Sequence, residues 1–145
     1  MNNSDVSRRP HHEVVIVGLG PTGATLANIL AGYGLDVLVL EREESVYPLP
    51  RAVHFDDEAM RVFQSIGLAE GIGRDARVNV GTKFVDRDQK LLLDWPRPQD
   101  IGPLGWDPRD RFHQPDLEAE LNRGIAAGKT VTLHRGASVT AVADL

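Results

Sequence analysis

Three glycines, Gly18, Gly20 and Gly23, stand two and three residues apart, and a carboxylate, Glu41, follows 18 residues after the last of them. Glycine brings no side chain, so this spacing lets a ligand approach the main chain closely. Main-chain N–H groups that converge where a helix begins hold an anion. A carboxylate set further along accepts hydrogen bonds from hydroxyls. The chemistry on offer is therefore recognition of a sugar joined to a diphosphate.

Two strands and a helix must position these residues. Val14 to Val17 are β-branched or apolar and bounded by glycine, which reads as a strand buried on both faces. Ala24 to Leu30 has helical composition, and Val37 to Leu40 is a second apolar strand that ends on Glu41. The result is a βαβ unit with a glycine-rich first turn. Gly18 is expected to turn the strand sharply where a Cβ would meet backbone. Gly20 is expected to admit a pyrophosphate, and Gly23 to let the helix lie tight on the sheet, with Ala27 one turn on keeping that approach open. Pro21 suits the first helical turn, and Gly34 fits a left-handed cap at its end. The helix dipole contributes only about 0.3–1 kcal/mol, so directed hydrogen bonds must do most of the holding. Glu41 at the strand tip suits both ribose hydroxyls of an adenosine and would repel a 2′-phosphate. A glycine triplet alone could be the turn of an ordinary α/β core. With strand, helix, cap, second strand and acid in register, the stretch reads as a site for an adenine dinucleotide.

The 145 residues allow one domain. A hydrophobic share of 41% and a charged share of 26% are ordinary for a globular protein. The net charge of −5 and the lack of a basic cluster argue against nucleic acid. With no cysteine, disulfides, zinc–thiolate sites and thiol redox chemistry are excluded, and no metal site is expected. No apolar run approaches the ~20 residues of a membrane span. Arg8-Arg9 is followed by too short an apolar segment for an export signal, so a cytoplasmic location is expected.

Residues 1–12 are polar and aperiodic, a disordered lead-in in which His11 and His12 have no expected role. After Arg42 a proline-containing loop carries Arg51, either a surface arginine or a fork that returns over bound phosphates. Asp56 or Asp57 caps a helix whose buried stripe is Ala59, Met60, Val62, Phe63 and Ile66, closed by Gly67. Residues 68–77 read as irregular. Thr82 to Val85 and Leu91 to Asp94, around the polar Asp86 to Lys90, form an antiparallel hairpin. Pro96 to Arg111 reads as loop, with Trp106 available to stack on a ligand or cover a core edge. Gln114-Pro115 opens a third helix with Leu117, Leu121 and Ile125 on one face, closed by Gly128. Val131 to Leu133 and Val139 to Val142 read as strands.

Taken with these residues, the chain from Glu13 to Leu145 resembles the N-terminal FAD-binding part of the class A flavoprotein aromatic hydroxylases. Within them it is most similar to the 3-(3-hydroxyphenyl)propionate/3-hydroxycinnamate hydroxylases. The resemblance rests on GLGPTG (Gly18 to Gly23), LER (Leu40 to Arg42), PRAVHFDDEAMRVFQSIGL (Pro50 to Leu68) and FHQPDLEAEL (Phe112 to Leu121). The last two motifs are the more specific. The fold it implies is α/β: a Rossmann-like FAD-binding βαβ unit with a parallel sheet and an inserted antiparallel β-hairpin, an incomplete glutathione-reductase-like FAD domain over residues 13–145.

The resemblance also implies roles. Gly18, Gly20, Pro21, Thr22 and Gly23 would hold the FAD pyrophosphate, and Glu41 with Arg42 would lie at the adenosine ribose. Arg51 would contact the phosphate–ribose region, and Gln114 the ribityl chain. The implied enzyme reduces FAD with NADH or NADPH and uses O₂ to place a hydroxyl on a phenolic acid, giving a catechol. Family members are considerably longer, so the substrate domain is absent from this chain. No catalytic residue is assigned, the oligomeric state is open, and the chain alone is expected to be inactive. An NAD-binding Rossmann dehydrogenase and a non-catalytic dinucleotide-binding module are the competing readings. The hairpin, Arg51 and Gln114 speak against the first of these.

Overall fold

A computed structural model describes residues 11–97, 100–107 and 110–143. Most of the expected lead-in, residues 1–10, lies outside the described residues. The chain forms two compact units, one of residues up to Val46 together with Leu121 onward, the other running from Tyr47 to Glu120.

The first unit is built on three parallel strands, β1 (Val14–Val17), β2 (Val37–Glu41) and β8 (Val131–Arg135), in the order β1-β2-β8. Register pairs Val14 with Val37 and Ile16 with Val39 in one ladder, and Val39 with Leu133 and Glu41 with Arg135 in the other. Helix α1 (Pro21–Gly32) connects β1 to β2 and ends as its glycines require, with Gly34 at φ +79 just beyond the Tyr33 cap. Ile16, Ala24, Ala27, Val37, Val39, Leu121 and Ile125 are buried and make its core. Asn28 donates through Nδ2 to the carbonyls of Ala24 (2.8 Å) and Leu121 (3.0 Å).

β1 departs from expectation. It is buried on one face only: Ile16 is covered, whereas Val15 is 52% and Val17 61% exposed. A continuous apolar run marks a strand suited to cover on both sides, but α1 supplies that cover on just one. Val139 to Val142 form no strand either. The ladder ends where the Ala137 N–H donates to the Glu41 carbonyl (2.9 Å), and without a partner Val142 stands 88% exposed.

In the second unit, Asp56 caps α2 (Asp57–Ser65) through Oδ1, which accepts the Ala59 N–H at 3.0 Å. Met60 and Phe63 are buried, while Val62 of the expected stripe is exposed. The stretch expected to be irregular contains a helix, α3 (Ala69–Asp75), and a short strand, β4 (Arg77–Val78). Gly71 and Gly73 weaken its helical signal, and burial of Leu68, Ala69 and Ile72 at one-turn spacing outweighs that propensity. The expected long loop ends earlier than Arg111, because β7 (Asp110–Arg111) pairs with both β3 (His54–Phe55) and β4. Residues 98, 99, 108 and 109 of that loop lie outside the described residues. Trp106 donates its indole N–H to Gln64 Oε1 (3.0 Å).

The hairpin is as expected, with β5 (Gly81–Val85) antiparallel to β6 (Leu91–Pro96). Asp86 Oδ1 accepts the N–H groups of Asp88 and Lys90, both at 2.9 Å, and so shapes its turn. α4 (Gln114–Ala127) begins at Gln114 and places Pro115 in its first turn. No helix among the described residues is long and apolar enough to cross a membrane.

Candidate cofactor site

The glycine turn between β1 and α1 has the backbone its sequence predicts, for a partly different reason. Gly18 sits at φ +100, a conformation that other residues rarely adopt, and its N–H donates to the Leu40 carbonyl at 2.8 Å. A Cβ at Gly18 would meet nothing within 4 Å, so backbone torsion and not crowding requires glycine there. Gly20 likewise faces open space and forms the N-cap of α1 in an extended conformation. Gly23 is the crowded position, where a Cβ would collide with the Gly18 carbonyl oxygen. Helix and turn therefore approach as closely as backbone allows.

The start of α1 is prepared for negative charge. No side chain caps Gly20, and the first turn carries no acid. Pro21 lacks an N–H, and Thr22 is exposed. Thr25 turns its hydroxyl inward and donates to the Pro21 carbonyl at 2.7 Å. The open space over Gly18 and Gly20, where side chains would otherwise stand, fits a diphosphate on the main chain.

Glu41 closes the other side of the turn. Its Oε2 accepts the Leu19 N–H at 2.6 Å and its Oε1 the Glu43 N–H at 2.8 Å. Burial pushes this carboxyl up, but the N–H groups of Glu43 and Leu19, the Arg135 charge and the Arg42 N–H together bring it below the usual value of 4.5. An ionised carboxylate has about four acceptor positions, so with three N–H groups on it one remains for a hydroxyl. The Arg42 side chain lies in solvent and pairs through Nε with Glu43 Oε1 at 3.0 Å.

Arg51 and Gln114 come together in the second unit. Gln114 is 4% exposed, and its Oε1 accepts the N–H groups of Arg51 and Ala52, both at 2.8 Å. Its Nε2 donates to Glu118 Oε1 at 2.7 Å. The amide thus fastens the 51–52 backbone to the start of α4. The Arg51 guanidinium lies 4.8 Å from the centre of the Tyr47 ring. Sequence reading missed Glu118, although a polar pair four residues apart on a helix was the available signal. It also missed the clasp of Glu41 on Leu19, which depends on where a turn aims one N–H.

Comparison with known proteins agrees with this geometry. The family model described as FAD binding domain matches residues 11–144. The chain is 42% identical over 132 residues to a probable NADH-specific resorcinol 4-hydroxylase of Rhodococcus jostii, covering 90% of this chain and 24% of that protein. It is 39% identical over 132 residues to a 3-(3-hydroxy-phenyl)propionate/3-hydroxycinnamic acid hydroxylase of Mycolicibacterium smegmatis, covering 91% of this chain and 23% of the other. The chain thus spans about a quarter of the length of these relatives. Among solved structures, p-nitrophenol 4-monooxygenase PnpA from Pseudomonas putida superposes with a TM-score of 0.75 at 23% identity, over 85% of this chain and 31% of that one, a likeness of fold. Mixed α/β architecture, glycine turn, inserted hairpin and family match agree: the chain belongs to the FAD-binding-domain family and its cofactor is FAD.

Proposed function

We propose that this chain is the N-terminal FAD-binding segment of an NAD(P)H-dependent flavoprotein monooxygenase that hydroxylates a phenolic acid, of the 3-(3-hydroxyphenyl)propionate type, to a catechol. The observation that carries the cofactor part is the uncapped start of α1 beside open space at Gly18 and Gly20. The substrate class is supported by the names of the relatives. FAD, when bound, accepts reducing equivalents from NADH or NADPH and activates O₂ for transfer of one oxygen atom to the ring.

The chain's own residues bind and orient. Gly18, Gly20, Pro21, Thr22 and Gly23 hold the pyrophosphate on main-chain N–H groups. Glu41 accepts from an adenosine ribose hydroxyl with its remaining position, and Arg42 lies beside it. Arg51 takes the phosphate–ribose region, and Gln114 the ribityl chain with what its amide has left. The partners are a small phenolic acid and O₂, with no nucleic acid or membrane, and the protein works in the cytoplasm. Residues 13–145 supply cofactor contacts, and the substrate domain and catalytic groups belong to the rest of a longer enzyme.

The test is a titration of the chain with FAD, followed by quenching of flavin fluorescence. Saturable quenching is expected, and Gly23→Val, which forces α1 off the turn, lowers affinity by at least tenfold while NAD binds poorly to both. Tight NAD binding without affinity for FAD would instead establish the dehydrogenase reading.

A further inference from the structure

Glu118 is a buried carboxylate that none of the cofactor contacts proposed above uses. It stands one turn beyond Gln114 on the same face of α4, and both lie within the second unit. Gln114 Nε2 donates to Glu118 Oε1 at 2.7 Å, while Gln114 Oε1 accepts the Arg51 and Ala52 N–H groups. An amide oxygen has two acceptor positions and an amide nitrogen two hydrogens. Both acceptor positions are therefore filled, and a single N–H of Gln114 has no partner among the described residues.

One orientation of the amide satisfies this network. Turned over, Gln114 would set its nitrogen against two N–H groups and its oxygen against a carboxylate, donor facing donor and acceptor facing acceptor. The charged partner makes the bond from Glu118 the stronger kind, and it takes one of the two hydrogens. What Gln114 has left is a donor without accepting capacity, on a side chain that is almost wholly covered. A buried N–H is unfavourable until it meets an acceptor, so this one suits a ligand that brings an oxygen.

We propose that Glu118 is a positioning residue for the cofactor. By holding the Gln114 amide in this orientation, it makes Gln114 a one-hydrogen donor to an oxygen of the ribityl chain. A free amide would both donate and accept there, and would not distinguish the two polarities of a hydroxyl. The assignment rests on the FAD reading above and deepens it: it gives the direction of one contact and the residue that sets it.

The test swaps the two side chains. Gln114→Glu alone sets two carboxylates against each other, and is expected to speed amide exchange at 51 and 52 and to weaken FAD binding. The double variant Gln114→Glu/Glu118→Gln re-forms the network with its polarity reversed. The carboxylate at 114 then accepts both N–H groups and a hydrogen from the amide at 118, and position 114 has no hydrogen to give. Exchange at 51 and 52 is expected to return to the rate of the unmodified chain. FAD, followed by flavin fluorescence, stays roughly three- to tenfold weaker, as for loss of one hydrogen bond. ADP, which lacks the ribityl chain, binds as before. The Phe112 N–H, bonded to the Val53 carbonyl at 3.1 Å, is the exchange control, since the amide takes no part in that bond.

Glu118→Leu removes the orienting acceptor. The two side-chain N–H signals of Gln114 are expected to draw together in the NMR spectrum, and FAD to weaken while ADP does not. In a Gln114→Leu background the same change has no further effect on FAD, because Glu118 acts through the amide. The proposal is overturned by FAD affinity that recovers in the swapped variant, by exchange that does not, or by a parallel loss of ADP. Unchanged Gln114 signals in Glu118→Leu, or an added loss of FAD affinity in the Gln114→Leu background, overturn it equally. Failure of the unmodified chain to bind FAD rejects the cofactor reading, and the Gln114 signals with exchange at 51 and 52 then decide the orientation by Glu118 on their own.

Discussion

On the Glu41 carboxylate, burial favours the neutral acid, and the N–H groups of Glu43 and Leu19 with the Arg135 charge more than reverse it. A carboxyl lowered on folding stabilises the fold above its unfolded pKa, and that contribution disappears as pH falls through the lower folded value. Glu41→Gln therefore destabilises the chain at neutral pH, and the gap to wild type narrows on acidification below 4.5. Urea unfolding of both forms at neutral and acid pH measures it. A gap that stays constant would mean the carboxylate holds the turn by shape alone. The sequence showed that an acid belonged at this strand tip. It could not show that Leu19 already occupies one oxygen, because that bond depends on the torsions of Gly18 and not on residue type.

Among the elements, α4 and the segment from Tyr47 to Phe55 depend on one buried amide. Replacing Gln114 by Leu leaves the Arg51 and Ala52 N–H groups without their acceptor and strips Glu118 of a donor. Each buried polar group left unmade costs about 1–3 kcal/mol. Gln114→Leu is therefore expected to lower unfolding stability by about that amount or more and to speed amide exchange at 51 and 52 selectively. Exchange that rises uniformly along the chain would show that the amide supports α4 and not the loop. Legibility followed the same divide between local and distant causes. The βαβ unit, α2 with its Asp56 cap, the hairpin and α4 could be read because turn residues and apolar spacing state them locally. α3 was hidden by Gly71 and Gly73, since its burial comes from packing that composition does not encode. Val139 to Val142 have strand composition, but a strand also needs a partner, and sequence supplies only the propensity. Gln114 was singled out for a ligand, and its grip on the 51–52 backbone came to light only with its neighbours in place.

For the molecule as a whole, Gly18, Gly20, Gly23 and Glu41 lie in the first unit and Arg51 and Gln114 in the second. The chain also exposes apolar surface on β1, at Val15 and Val17, and along the hairpin, at Phe84, Leu91, Leu92, Leu93 and Trp95. Apolar faces of this kind mark places where further protein packs. The relatives are about four times this length, and excluding water from a bound cofactor takes protein on all its sides. Two outcomes are expected of the chain by itself. FAD binds weakly enough to be lost on gel filtration, and NADH is not consumed when a phenolic acid is added. The absorbance of the eluted protein at flavin wavelengths and the NADH absorbance with and without 3-(3-hydroxyphenyl)propionate provide the check. Stoichiometric FAD carried through the column, together with phenol-dependent NADH oxidation, would place the catalytic groups within these residues.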